Sequence, residues 1–149
     1  MAPILTWHVK LKDEETFSPT KNKFIGTHTA RENITATIQL WNNRRGTTNV
    51  DNLEDFTIRL DFQDEEDSAL LKYVLIKDQD DNMIGSQNFG KHILFNLPPD
   101  IVISGKANNG VTSENRKNYL EFKLIFQTPN NIQLKENDLK TLYLEVVAK

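Results

Sequence analysis

Hydrophobic and polar residues alternate with a period of two in four stretches of this chain. The clearest is ITATIQL at residues 34–40, and the others lie at residues 56–62, 120–126 and 142–146. Such alternation places apolar side chains on one face of a β-strand and polar side chains on the other. The four stretches therefore predict strands with one face on a hydrophobic core, which is formed by Ile34, Ala36, Ile38, Leu40, Phe56, Ile58, Leu60, Phe62, Leu120, Phe122, Leu124, Phe126, Leu142, Leu144 and Val146.

Shorter apolar runs predict further strands, and clusters rich in Asn, Gly, Pro and Asp separate them. The total is eight or nine strands, without the long helices that alternate with strands in a parallel sheet. We predict an all-β fold, a single-domain antiparallel β-sandwich of jelly-roll-like form that spans residues 1–149. One short helix is a candidate at residues 64–73 (DEEDSALLKY), where acidic residues precede helically spaced leucines. The additional strands are predicted at residues 6–11, 24–29, 73–77, 93–97 and 101–104.

The charge and composition of the chain limit the classes of partner that it could bind. Lys and Arg number 18 against 21 Asp and Glu, and the net charge of −3 provides no general positive field for nucleic acid. The chain has no Cys, which excludes disulfides, thiolate zinc sites and thiol nucleophiles. No segment approaches the roughly 18 to 20 apolar residues of a bilayer span, and none resembles a signal peptide. We expect a protein made in the cytoplasm that neither binds nucleic acid nor inserts into a membrane.

Two strings resemble ligand-binding loops but fail at defining positions. GSQNFGKH at residues 85–92 matches a phosphate-binding loop, except that His92 replaces the hydroxyl residue and two prolines follow too soon for a helix. KDQDDNMIG spaces its acids as a calcium loop does, but Met83 and Phe89 occupy the positions that need Gly and Glu. We interpret the first string as a glycine-bounded loop that enters a strand and the second as a hairpin tip. No cofactor is expected.

The histidines also lack a recognisable site. His8, His28 and His92 lie on separate predicted strands and lack the i, i+4 spacing of a helical metal site. Isolated histidines are the simpler interpretation, and a metal trio assembled by folding is the alternative. No G-x-S-x-G sequence is present for a serine hydrolase, and carboxylates cannot be paired for glycosidase chemistry from sequence alone. We therefore expect a protein without enzymatic activity.

The segment that follows the first alternating strand is the candidate partner contact. It consists of Trp41, Asn42, Asn43, Arg44 and Arg45, at the junction between the strand and a polar loop. In one interpretation Trp41, whose parity points away from the core, offers an exposed apolar face to a sugar ring or a partner side chain. The two Asn then add neutral hydrogen bonds, and the two Arg donate to carboxylate or phosphate. In the other interpretation the strand bends or bulges, and Trp41 covers an edge of the core.

Four segments carry a resemblance to a known group of proteins: the strand that leads into WNNRRGTTNVDN, then LLKYVLIKDQDDNMIG, ISGKANNGVTSENRKN and LKENDLKTLYLEVVAK. Together they resemble a small protein from the tail-gene region of a Bacillus subtilis siphophage, over the whole chain. Such proteins are compact β-sandwiches, similar in fold to the shoulder domain of lactococcal phage receptor-binding proteins. The resemblance implies a fold and a setting, and it assigns no functional residue.

The implied function is that of a non-enzymatic structural or accessory protein of a phage tail or host-adsorption apparatus. Its setting would be the host cytoplasm, where it is made, and then the virion. Its partners would be other phage tail proteins or a host cell-wall polysaccharide. The alternatives are a carbohydrate- or protein-binding β-sandwich that works free of the virion and, as a third class, an enzyme on a sandwich scaffold.

Overall fold

The computed structural model describes residues 1–11, 14–20, 23–28, 34–62, 74–89, 92–126 and 138–149. Within these residues the chain forms ten strands: β1 Leu5–Leu11, β2 Ser18–Thr20, β3 Lys23–His28, β4 Ile34–Asn42, β5 Phe56–Phe62, β6 Val74–Asp78, β7 Gly85–Phe89, β8 His92–Asn96, β9 Tyr119–Phe126 and β10 Asp138–Ala148. The helical structure of this part of the chain is one 3₁₀ turn at Arg116–Asn118. The predicted all-β fold is confirmed.

The ten strands form two five-stranded sheets. Sheet A has the order β2-β1-β4-β9-β6 and sheet B the order β3-β10-β5-β8-β7. All neighbouring strands are antiparallel. The consecutive strands β2 and β3 are edges of different sheets, as are β6 and β7, so the chain changes sheet at these edges. The second change is held by a backbone hydrogen bond of 2.8 Å from Ile84 N to Ile76 O.

One hydrophobic core lies between the two sheets, as a β-sandwich requires. Sheet A contributes residues such as Ile38 and Phe122, and sheet B contributes Ile58, Phe95 and Leu144. The Phe95 and Phe122 rings meet edge to face at 5.3 Å, so β8 and β9 are joined directly across the core. The predicted β-sandwich architecture therefore agrees with the structure.

The period-two pattern predicted the inward face correctly wherever the side chains are described. Leu120 and Val146 are half-buried and pack against the core. The predicted inward residues that the structure shows fully buried are Ala36, Ile38, Leu40, Phe56, Ile58, Leu60, Phe122, Leu124 and Leu144. The side chains of the other predicted core residues, Ile34, Phe62, Phe126 and Leu142, lie outside the described part of the structure.

The strand count differs from the prediction for local reasons. β2 lies in a Pro-containing cluster that sequence reasoning assigned to a turn, and β7 (GSQNF) lacks an apolar alternation. Both are edge strands, where pairing on one side is enough and hydrophobic periodicity is weak. The predicted strand at residues 101–104 contributes only a single bridge between Leu53 and Ile103. The candidate helix at residues 64–73 lies outside the described residues.

Across the part of the chain that the structure describes, no helix has the length and apolar character needed to cross a membrane.

Truncating a core side chain tests the packing of the two sheets. Phe122 and Leu144 are 0% and 1% exposed, and Phe122→Ala or Leu144→Ala is expected to lower the free energy of unfolding by about 2–5 kcal/mol, because each leaves a cavity. Lys123→Ala, next to Phe122 on the outer face of β9, is the matched control and should cost less than about 1 kcal/mol. Urea unfolding followed by circular dichroism measures the difference. Core variants as stable as the control would contradict the inward assignment.

Candidate binding site at the loop end

Two long loops meet at one end of the sandwich. Residues 43–55 connect β4 of sheet A to β5 of sheet B, and residues 97–118 connect β8 of sheet B to β9 of sheet A. They lie at the same end because β4 and β9 are antiparallel neighbours, with Trp41 opposite Tyr119. We call the surface formed by these two loops the loop end. Both loops have little regular structure, so side chains must satisfy many of their backbone groups.

Asparagine side chains supply these hydrogen bonds. Asn42 Nδ2 donates to the carbonyl oxygens of Asp51 and Ile103 at 2.9 and 3.2 Å. Asn43 Nδ2 donates to the carbonyl oxygens of Thr48 and Gly105 at 2.7 and 2.9 Å. Each side chain therefore bonds one carbonyl in the first loop and one in the second. Both residues are buried.

Asparagine side chains of the second loop form similar hydrogen bonds. Asn108 Nδ2 donates to Asn43 O at 2.8 Å, and its Oδ1 accepts from the backbone N–H of Arg45 at 3.1 Å. Asn118 Nδ2 donates to two carbonyl oxygens within its own loop. From the first loop, the side-chain oxygens of Asn49 and Asn52 accept backbone N–H groups of the second. We call Asn42, Asn43, Asn49, Asn52, Asn108 and Asn118 the asparagine network.

Backbone conformation at two positions supports the network. Asn43 and Arg45 have φ angles of 57° and 60°, a left-handed conformation that Asn tolerates better than most residues. The chain also approaches itself closely at Gly105, where a Cβ atom would lie 2.3 Å from the carbonyl oxygen of Val50. A side chain at position 105 would therefore push the two loops apart.

Trp41 is fully buried, at 0% exposed, so the interpretation in which it offers an exposed apolar face is wrong. Its parity was predicted correctly, because it pairs in register with Tyr119 and points to the outer face of sheet A. The strand does not bulge; instead Tyr119 packs on the indole at a ring distance of 4.7 Å, and Arg44 lies over it. The indole N–H donates to Gln39 Oε1 at 3.0 Å. Trp41 is thus buried beneath neighbouring side chains.

The other candidate contact residues divide into two groups. Asn42 and Asn43 are interior and use their side chains within the asparagine network, so they offer no hydrogen bonds to a partner. Arg44 is partly exposed and Arg45 is exposed. The Arg44 guanidinium lies 5.5 Å from the centre of the Trp41 ring, a cation–π distance. Its Nε is buried and has no hydrogen-bond partner among the described residues.

His8 is a member of this region that sequence reasoning did not assign. It lies on the outer face of β1, opposite Gln39 of β4, and is only 5% exposed. Its Nε2 lies 2.9 Å from Thr6 Oγ1. Burial, followed by the positive charges of Arg44 and Arg45, lowers the pKa of His8 from 6.5 to about 4. Parity alone could place His8 on the outer face, but only the pairing of β1 with β4 brings it near the arginines.

A groove of about 820 Å³ opens beside the asparagine network in the second loop. Three of its lining residues, Lys106, Arg116 and Lys117, are exposed cations that form no ion pair with a described residue. Asp100 adds a carboxylate and Val102 an exposed aliphatic side chain. The sequence ISGKANNGVTSENRKN indicated a turn-rich loop but no concave surface, because the concavity depends on where the loop folds back.

The two strings that resemble ligand loops form ordinary β-structure. GSQNF is strand β7 and the residues from His92 form β8, so no helix N-terminus exists there to receive a phosphate. In KDQDDNMIG, Asp78 Oδ1 accepts the backbone N–H groups of Asp80 and Asn82, each at 2.9 Å. These bonds lower the pKa of the Asp78 carboxyl, and they make the string a self-capped hairpin turn, as predicted.

The histidines are not gathered into a metal site in the described residues. No group of three or more His, Asp or Glu side chains there is arranged to hold a metal ion. His8 belongs to sheet A, and His92 stacks on Phe89 of sheet B at a ring distance of 5.6 Å. The side chain of His28 lies outside the described part of the chain.

The fold and the loop end define an all-β sandwich protein with a candidate binding groove. No family model matches the chain, and no curated protein or solved structure matches it either.

Asn43 provides a test of the asparagine network. Asn43→Ala is expected to lower the free energy of unfolding by about 2–4 kcal/mol, because the buried carbonyl of Gly105 and the partly buried carbonyl of Thr48 lose their donor. Asn43→Gly loses the same bonds but relieves the left-handed φ, so it should cost about 1 kcal/mol less than Ala. Asn96→Ala, on an exposed position of β8, is the control. Urea denaturation measures all three, and an Asn43→Ala variant as stable as the control would remove the network's assigned role.

The lowered pKa of His8 predicts a pH dependence of stability. The unfolded chain takes up the proton near pH 6.5 and the folded chain only near pH 4, so the folded state loses stability as the pH falls between these values. His8→Gln removes this titration and should reduce the loss. His92→Gln, on sheet B, is the control for the loss of an imidazole elsewhere in the protein. The measurement is the free energy of unfolding at pH 7 and at pH 4.5. If the parent and His8→Gln lose the same amount of stability between these two values, the lowered pKa of His8 is not the cause of the pH dependence.

Proposed function

We propose that this chain is a non-enzymatic binding protein that holds a partner in the loop-end groove. The observation that carries the proposal is the rigid attachment of both loops by the asparagine network, directly beside the groove. Hydrogen bonds from Asn118 Nδ2, at 3.0 Å each, fix the carbonyls of Ser104 and Lys106, which are both lining residues. A surface fixed before contact loses little conformational entropy on binding, which favours affinity.

The chemistry of the groove suits recognition of a polypeptide. Its lining combines the cations Lys106, Arg116 and Lys117 with the carboxylates of Asp100 and Glu114. Mixed charges of this kind complement the mixed charges of a protein surface and select its orientation. None of the described lining residues is aromatic, and Trp41 is buried, so the described part of the groove offers no flat face for stacking on a sugar ring. A protein partner is therefore favoured over a polysaccharide.

The setting is the one that the sequence resemblance implies. The chain is a structural or accessory protein of a phage tail or host-adsorption apparatus, made in the host cytoplasm and then associated with the virion. The partner in the groove is another tail protein. The all-β sandwich fold supports this setting because it is the fold that the resemblance implies, and the fixed groove supports an accessory protein that docks on a larger assembly.

Charge removal in the groove tests the function. In virions purified by sedimentation and probed with an antibody against the chain, the parent protein is expected to be present. Arg116→Ser with Lys117→Ser should reduce its amount roughly tenfold, since two contact cations are lost. Lys77→Ser with Lys149→Ser removes the same charge outside the groove and should have no effect.

Two outcomes contradict the proposal. Absence of the parent from virions, combined with binding to an array of host cell-wall polysaccharides, would favour the free carbohydrate-binding alternative. Equal incorporation of the two double variants would show that any partner contacts a different surface. Thermal melts of both variants establish that each is folded before the comparison is made.

A further inference from the structure

Arg44 is held in place, but its hydrogen bonding is incomplete. Its guanidinium packs on Trp41 at 5.5 Å from the ring centre, and Trp41 is itself fixed by Tyr119 and Gln39. The buried Nε nevertheless has no hydrogen-bond partner in the described structure. Buried polar groups without a partner are rare in folded proteins, and a site for an ion is one of the places where they occur.

The charge at this position is uncompensated as well. Within the described residues, neither Arg44 nor Arg45 forms an ion pair with a carboxylate. Glu121 lies on the same face of sheet A, but its Oε1 accepts a hydrogen bond of 2.8 Å from Gln39 Nε2. The pKa of Arg44 is lowered by burial and by the charge of Arg45. The two positive charges, one of them on a partly buried side chain, thus repel each other, and a bound anion would relieve that repulsion.

The second arginine is also prearranged. The backbone N–H of Arg45 is bonded to Asn108 Oδ1 at 3.1 Å, and its φ of 60° is set by the turn that begins at Asn43. The stem of its side chain passes Gly110, where an added Cβ would lie 2.6 Å from Arg45 Cγ. Both arginines therefore project from a loop that the asparagine network fixes, close to His8.

We propose that Arg44 and Arg45 form a binding site for a phosphate-type oxyanion on the outer face of sheet A, beside Trp41 and His8. A guanidinium offers a planar fork of donors that matches phosphate oxygens, and the Nε of Arg44 is a donor that lacks a partner in the described structure. Two guanidinium charges suit the charge of about −1.5 to −2 that a phosphate monoester carries at neutral pH better than the single charge of a carboxylate. The site does not depend on the proposed function, since neither arginine lines the groove.

An occupied site changes the environment of His8. The charges that act on His8 are those of Arg44 and Arg45 from the loop, while the neighbouring strands β4 and β2 place the neutral Gln39 and Pro19 opposite it. Lys10 follows two residues later on the same strand, and its ammonium lies over the Phe17 ring. Beyond Gln39 lies Glu121 of β9. A bound anion opposes the two arginine charges, so it favours the protonated imidazole. Binding and protonation of His8 should therefore strengthen each other.

Nuclear magnetic resonance of the full chain tests the site with inorganic phosphate as the probe. At pH 7 and constant ionic strength, replacing chloride by phosphate is expected to shift the resonances of the Arg44 Nε–H, the Trp41 indole N–H and the His8 ring. The pKa of His8 should rise in phosphate. Dimethyl phosphate and acetate are the comparison probes: a response to the diester indicates that a phosphodiester also fits, and acetate should bind more weakly than phosphate.

Variants distinguish this site from the groove. Arg44→Gln and, separately, Arg45→Gln should each weaken phosphate binding roughly tenfold, because a charged hydrogen bond is lost. Arg116→Gln, which removes a groove cation, should leave it within about twofold. The inference is overturned if phosphate produces no shift beyond that of chloride, or if both loop variants bind phosphate as the parent does. Since two single variants are used, the loss of one to misfolding still leaves a decisive comparison.

Discussion

The hydrogen bonds of a few asparagine amides determine the form of the loop end. An amide donates two N–H groups from one atom, so a single buried side chain can bond two carbonyls that are distant in sequence. Asn43 uses this property to join residues 48 and 105, and Asn42 to join residues 51 and 103. Backbone groups of each loop also find partners in the other, since Val50 N donates to Gly105 O and Ile103 N donates to Leu53 O. The left-handed φ of Asn43 suits the same residue type, so conformation and hydrogen bonding favour Asn together.

The hydrogen bonds between the two loops also explain how segments without regular secondary structure can form a surface of defined shape. The core of the sandwich, where Phe95 meets Phe122, fixes the strands from which the loops start. The asparagine network then fixes the loops relative to each other, and the exposed cations of both loops project from a backbone that is already satisfied. The side chains that fix the loop end are mainly asparagines, including exposed ones such as Asn49 and Asn52. Lys106, Arg116 and Arg45 are thus left available for contacts with other molecules.

The part of the fold that depends on local alternation was predictable, and the part that depends on long-range contact was not. Ile38, Ile58 and Phe122 were assigned to the core correctly, because the parity of a strand needs only its own sequence. Trp41 shows the limit: its parity was right, but parity could not decide between exposure and burial, since Tyr119 lies far away in sequence and covers the indole only after β4 pairs with β9. Of the five residues in the candidate contact, Arg44 and Arg45 keep surface that a partner can reach. His8 and the groove required strand pairing and loop packing to be known.

The outer face of sheet A shows how one buried aromatic residue changes the electrostatics around it. A tryptophan of outward parity must be covered, and Arg44 covers it with a side chain that is apolar along its stem and cationic at its tip. Arg44 brings a positive charge onto the outer face of sheet A, where His8 is buried, and Arg45 adds a second positive charge nearby. Burial first, and then these two charges, disfavour the protonated form of His8 and lower its pKa to about 4. Arg44 thus covers Trp41, but its positive charge has no carboxylate partner among the described residues. This imbalance is what makes the region a site for an anion rather than only a covered strand end.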